Sequence, residues 1–279
     1  LAVSLAGSLG EANLATLELG TADLIRSQPP RADEVRETSR DGLPVNGLRR
    51  GDRAVLFHSR YGARREAERL AAGAGDAGFA VVIGAGMAHH VQALLEAGVK
   101  VLLVEPDSAL LRSLLERADV SDSLRARHLH ITTAADPDRL AGEIGRAYLP
   151  FADGDLTVVE LPGRTHAEPD RMNAVRSAVA AAVDMLIADL AIQSRFGRAW
   201  TRNTILNLPR ARPRRLPDWS ASDVIVAAAG PSLDLAIPRL RTRRDDQRIL
   251  AVDTAYPALR AHGIEPDLVL TIDCQIASY

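Results

Sequence analysis

The sequence holds a single cysteine, Cys274, so no internal disulfide can form, and a reducing compartment, by default the cytoplasm, is expected. Aromatic residues are scarce, 4% of a chain that is 47% hydrophobic, so the core has to be aliphatic. Neither charge dominates. The 34 basic residues stand against 36 acidic ones, a net charge of −2, which excludes a nucleic-acid binder driven by overall charge. Long uncharged apolar runs are missing as well. The most apolar stretch, 174–192, carries Arg176, Asp184 and Asp189, too many charges for a lipid-facing span of about 20 residues, and reads as a packed amphipathic helix. Residues 1–20 lack a basic leader and carry Glu11 and Glu18, which argues against a signal peptide. The chain does not begin with methionine and stops at Tyr279, soon after an expected strand, so a fragment of a longer protein is expected. No repeat of about 20–50 residues is visible.

What is present is alternation. After turn signals at Pro29-Pro30, Asp41-Gly42 and Arg50-Gly51-Asp52, short apolar runs at 54–58, 79–83, 99–104, 128–132 and 155–161 read as strands. Between them 63–72, 89–97, 108–118 and 137–147 read as helices. Strands alternating with helices of about ten residues imply an α/β domain with a parallel sheet. A long helix is expected over 170–196. It leads into a connection at 200–219 broken by Pro209, Pro213 and Pro217. Arg195, Arg198, Arg202, Arg210, Arg212, Arg214 and Arg215 cluster there without an intervening acid, the pattern of a solvated linker or of an anion-binding edge. A second series follows, with strands at 224–228, 249–253 and 268–273 and helices at 238–244 and 256–262. Four segments are expected: 1–50 as an N-terminal segment, 51–165 as a Rossmann-like domain, 166–220 as helix and Arg/Pro-rich connection, and 221–279 as the incomplete start of a second α/β domain.

Two glycine loops carry the chemistry. The first, Gly84-Ala85-Gly86, lies between a strand and a helix, and Glu105 ends the next strand, as in a nucleotide-binding βαβ unit. His89 stands where the dinucleotide fingerprint has its third glycine, which disfavours NAD or FAD and leaves S-adenosylmethionine as the better fit. The alternative is a turn that needs glycine for close packing and binds nothing. The adjacent His89 and His90 point to different faces of a helix and do not make a metal pair alone. The second loop, Gly230-Pro231-Ser232, follows the apolar run 224–229. Gly230 permits close backbone approach, and Ser232 offers a hydroxyl and an N–H suited to a phosphate or the ribose-phosphate of a nucleotide. Pro238 favours a helix start there, which would set Ser232 apart from it. Asp253 and Asp273 end the next two strands. Parallel strands bring them to the loop's edge, where they can bind a ribose, orient an acceptor or hold Mg²⁺. Capping of the next helix is the plainer role for Asp253.

These residues carry a resemblance. Gly-Pro-Ser-Leu-Asp at 230–234, Ala-Val-Asp-Thr-Ala at 251–255 and His-Gly-Ile-Glu-Pro-Asp at 262–267 with Asp273 resemble the motility accessory factor (Maf) proteins. Maf proteins are flagellin glycosyltransferases, and their central domain is shared with archaeal 6-hydroxymethylpterin diphosphokinase (MptE-like) proteins. Leu56-Phe57-His58-Ser59-Arg60-Tyr61 with Glu66 and Glu68 resembles the Maf N-terminal domain. So does Phe196-Gly197-Arg198-Ala199-Trp200 with Asn203, Asn207, Leu208 and Pro209. The resemblance implies a sialyltransferase-like second domain. It implies transfer of a nonulosonic acid from a CMP-activated donor to Ser or Thr of flagellin, with the nucleotide bound by Gly230, Pro231, Ser232, Asp253 and Asp273 and the general base beyond Tyr279. It implies no firmly assigned cofactor. The rival readings are pyrophosphoryl transfer from ATP and Mg²⁺ in the pterin diphosphokinase manner, a non-catalytic flagellin-binding scaffold, and a methyltransferase using Gly84, Gly86 and Glu105.

Overall fold

The computed structural model describes residues 9–17, 19–210, 218–220, 223–242 and 245–271. The chain divides into two compact units, 1–189 and 190–279.

Unit 1 begins with α1 (Leu9–Leu14) and α2 (Leu19–Ser27) and an antiparallel sheet of β1 (Glu34–Thr38), β2 (Pro44–Arg50) and β3 (Arg53–Leu56). The α/β series follows: α3 (Ala63–Ala72), β4 (Phe79–Ile83), α4 (His89–Glu96), β5 (Lys100–Val104), α5 (Ser108–Leu115), α6 (Ser121–Arg125), β6 (Leu129–Thr132), α7 (Pro137–Ala147), α8 (Pro150–Asp153), β7 (Leu156–Glu160) and α9 (Pro162–Ala167). The four strands β4 to β7 form a parallel sheet in the order β6-β5-β4-β7. All five residues of β4 are buried, as a strand covered on both faces requires. The two-residue period sorts them. Ala80 and Val82 pack with Val91 and Leu94 of α4 and Leu111 and Leu114 of α5. Phe79, Val81 and Ile83 pack with Leu140 and Ile144 of α7 and with Met172, Val175 and Val179 of α10 (Pro169–Asn207). From the N-terminal segment, α1 and α2 supply Leu14 and Ile25 to the same core.

Helix starts follow local chemistry. The Asp107 side chain accepts from Ala109 N and Leu110 N at the start of α5. Asp136 accepts from Arg139 N at the start of α7, whose first residue is Pro137. The long helix runs to Asn207, past its expected end at 196, because no proline interrupts it before Pro209.

Unit 2 continues with β8 (Asp223–Ala227), α11 (Ser232–Arg241), β9 (Gln247–Val252), α12 (Tyr256–Ala261) and β10 (Leu268–Leu270), forming a parallel sheet in the order β10-β9-β8. Here the structure corrects the expected helix at 238–244. The helix starts at Ser232 and keeps Pro238 inside it. Leu233, Ile237 and Leu240, spaced for one helical face, are buried against Ile249, Ala251 and Leu259. That packing outweighs the hydrogen bond lost at Pro238, which lies on the solvent side. Ser232 is therefore the first residue of the helix and not set apart from it.

Candidate functional site

The Gly84 loop of unit 1 stands where an open parallel sheet usually admits a ligand. Chain order reverses between β4 and β7, and the loop lies at their carboxyl ends. Gly84 and Gly86 have φ of +93° and +51°. A Cβ at Gly84 would lie 2.8 Å from Arg164 Cγ, and one at Gly86 would lie 2.5 Å from His58 Nε2 and 2.7 Å from Leu161 Cδ2. The crevice is thus occupied by the protein's own Leu161, Arg164 and His58.

Glu105, at the end of β5, is fully buried. Its Oε2 accepts from Ala85 N at 3.1 Å and Arg164 Nε at 3.0 Å. Its Oε1 accepts from Asp107 N at 3.1 Å and Arg164 Nη2 at 3.0 Å. Arg164 also reaches Glu168, at 2.7 Å, which in turn meets Arg31 and Arg50. Burial works against the charge on Arg164, but the carboxylates of Glu105 and Glu168 outweigh it and hold the guanidinium above its ordinary pKa. Burial likewise raises the Glu168 carboxyl, and Arg164 and Arg31 more than reverse this. Arg164 was not legible as a partner because it lies 59 residues from Glu105. The available signal was Pro162, which starts a helix directly after β7 and so delivers its first turn to the same sheet edge.

Three histidines surround this loop. His58 Nε2 accepts from Met87 N at 3.1 Å, which puts its proton on Nδ1, 3.5 Å from Glu66. His89 Nε2 lies 2.7 Å from the Pro44 carbonyl and His90 Nε2 lies 3.1 Å from the Gly84 carbonyl. The rings of His89 and His90 are 4.9 and 5.5 Å from that of His58. The nitrogens do not converge, and among the described residues no group of three or more His, Cys, Asp or Glu is arranged to hold a metal ion.

Burial pushes His90 down to about 3. The unfolded chain binds a proton there near pH 6.5 and the folded protein does not. Stability from this neutral ring is complete above pH 6.5 and falls with pH toward 3. Asp33, held at about 2 by Arg31, loses its contribution below the carboxylate range, in the same direction. In urea unfolding between about pH 5.5 and 4, the slope of stability against pH is expected to fall by up to about 1.4 kcal/mol per pH unit in His90→Gln, the weight of one proton. An unchanged slope would place the proton uptake elsewhere.

The second loop is open. Gly230 joins β8 to α11, and a Cβ there would meet only the Ser232 hydroxyl, at 3.8 Å. Gly230 N donates to the Ala228 carbonyl at 2.9 Å and the Gly230 carbonyl accepts from Leu233 N at 2.9 Å, closing a tight turn that sets Ser232 at the head of α11. Pro231 and Ser232 are exposed. Of the first-turn N–H groups of α11, that of Leu233 is taken by the Gly230 carbonyl, and that of Ser232 has no carbonyl within its own helix. Asp253 follows β9, the middle strand, and is half-buried. Its Oδ1 accepts from Thr254 N and its Oδ2 from the Thr271 hydroxyl, both at 2.7 Å, tying the ends of β9 and β10 together. Thr271 was not singled out in the sequence. Gly230, Pro231, Ser232 and Asp253 thus share the carboxyl edge of one parallel sheet. Asp273 and Cys274 lie outside the described residues.

Comparison with known proteins adds three findings. A family model described as 6-hydroxymethylpterin diphosphokinase MptE-like matches residues 202–279. A protein of Treponema pallidum (strain Nichols), described as uncharacterized, is 32% identical over 158 residues, 56% of this chain and 74% of its own length. A solved structure of Maf glycosyltransferase from Magnetospirillum magneticum AMB-1 aligns with a TM-score of 0.49 and 20% identity over 97% of this chain, which spans 50% of that one. Among the described residues no helix is long and apolar enough to cross a membrane.

Proposed function

The chain belongs to the family of the Treponema pallidum protein and matches the MptE-like family model over residues 202–279, and on that premise we propose that unit 2 binds the nucleotide of an activated sugar for glycosyl transfer. The observation that carries the reading is the open Gly230-Pro231-Ser232 turn at the head of α11, beside Asp253 on the next strand. A phosphate seated there meets the Ser232 N–H, the positive end of a helix and the Ser232 hydroxyl. Asp253 and Asp273 serve the ribose. The donor is a CMP-linked nonulosonic acid, and the acceptor is a Ser or Thr hydroxyl of flagellin, in the cytoplasm. The hydroxyl oxygen bonds to the anomeric carbon, and the bond from that carbon to the phosphate oxygen breaks. CMP leaves with the electron pair, and the hydroxyl proton passes to a base. The helix terminus lowers the barrier by stabilising the charge that grows on the departing phosphate.

A second reading, pyrophosphoryl transfer from ATP, is favoured by the family description of residues 202–279. Asp253 is a hard oxygen donor of the kind Mg²⁺ takes, and Asp253 and Asp273 would then hold the metal that neutralises the phosphates. Titration calorimetry of the chain with CMP and with ATP plus Mg²⁺ separates the two. The first reading expects CMP to bind and Ser232→Ala to weaken it about tenfold, the worth of one hydrogen bond to a charged group. Binding of ATP–Mg²⁺ alone would overturn it in favour of the second.

A further inference from the structure

At the end of the unit 1 strands opposite the Gly84 loop, a cavity of about 610 Å³ opens beside β6. Strand β6 is the outer strand of its sheet. The carbonyls of His128 and Thr132 accept from Val101 N and Glu105 N of the β5 segment. By alternation the main-chain groups of Leu129 and Ile131 face the other way, along the cavity these residues line. Leu124 and Leu149 add apolar wall, and Lys100, Arg127 and Arg146 set three cations against the one carboxylate of Glu143. Lys100 is paired with Asp153 at 2.7 Å and Arg146 with Glu143 at 2.8 Å. Arg127 makes no side-chain hydrogen bond or ion pair among the described residues.

Arg127 is also in the wrong place for its backbone. Helix α6 ends with His128 N bonded to the Ser123 carbonyl and Arg127 N to the Leu124 carbonyl, both at 3.0 Å. This is the closing motif whose left-handed residue is usually glycine. Arg127 holds φ of +56°, one of two non-glycine residues with positive φ among the described residues. Glycine serves that conformation at lower cost, so the guanidinium is what the position supplies.

We propose that this cavity binds a small phosphate monoester, its phosphate on Arg127 with Lys100 and Arg146 nearby and its carbon skeleton against Leu129 and Ile131. The volume admits a ligand of sugar-phosphate size. His130, half-buried on the cavity wall, reports the local field. Burial lowers its pKa, the Arg127 carbonyl raises it, and the charges of Arg127 and Lys100 push it down against Glu143. A phosphate dianion entering the cavity reverses the sign of that field at the ring.

The test is an NMR titration of the His130 imidazole, assigned with His130→Asn, in the 279-residue chain. Ribose 5-phosphate is the ligand, with ribose and sodium sulfate as controls. The expected result is a saturable shift of the His130 signals and a raised His130 pKa with ribose 5-phosphate only. In Arg127→Gly, which suits the backbone and keeps the fold, the apparent affinity falls at least about tenfold. Ser232→Ala leaves the response unchanged, which separates this cavity from the loop of unit 2. An unmoved His130, an equal response to sulfate, or an equal response in Arg127→Gly overturns the proposal.

Discussion

Replacing Arg164 with leucine is expected to lower the stability of unit 1 by about 3–5 kcal/mol, because it strands a carboxylate in the protein interior. Glu105 and the Arg164 side chain are both inaccessible to solvent, and the guanidinium makes two of the four hydrogen bonds that Glu105 accepts. The backbone N–H groups of Ala85 and Asp107 remain, but two dipoles do not replace a cation at this depth. The damage spreads to the glycine loop, since Arg164 also fills the space above Gly84. In thermal unfolding followed by circular dichroism, the midpoint is expected to fall by roughly 10 °C, at about 2–4 °C per kcal/mol for a unit of this size. Glu105→Gln added to Arg164→Leu recovers part of the loss by removing the stranded charge. A loss under about 1 kcal/mol, typical of an exposed ion pair, would contradict the structural role given to this pair.

Replacing Gly230 with leucine is expected to do the opposite: leave the fold intact and abolish nucleotide binding. Gly230 does not have the positive φ that demands glycine, and its added Cβ would meet only the Ser232 hydroxyl at 3.8 Å. Space exists for a side chain, so the unfolding midpoint of unit 2 stays within about 2 °C, as for most exposed substitutions. That same space is where a phosphate must sit to reach the head of α11. A leucine there excludes it, and CMP affinity falls by about a hundredfold or more, the loss of two or more charge-assisted hydrogen bonds. If the variant unfolds, the glycine serves packing. If it binds CMP like the parent, the turn is not the phosphate site.

The contrast between the loops shows how far the sequence could be read. Strands such as Phe79–Ile83 were legible because a strand buried on both faces is a short continuous apolar run. The helices Ala63–Ala72 and Pro137–Ala147 were legible as stretches of about ten residues between those runs. Pro238 misled, because a local preference for helix starts was overridden by the packing of Leu233, Ile237 and Leu240. At the candidate sites, Gly84, Glu105, Gly230 and Asp253 were singled out because each sits at a strand end, which the sequence marks. What fills the first loop could not be found that way. His58 and Arg164 come from elements 26 and 80 residues from Gly84, and only the folded chain brings them over it. Histidine after the apolar run 54–57, followed by Glu66 on a helix, was the one local hint.

The measurement that bears most directly on the account is a calorimetric titration of CMP into the 279-residue chain, repeated with Gly230→Leu and with Arg127→Gly. A CMP site that disappears in Gly230→Leu and survives in Arg127→Gly is expected. No CMP binding by a folded parent chain, or binding indifferent to Gly230→Leu, would contradict the claim that the turn at the head of α11 is a nucleotide site.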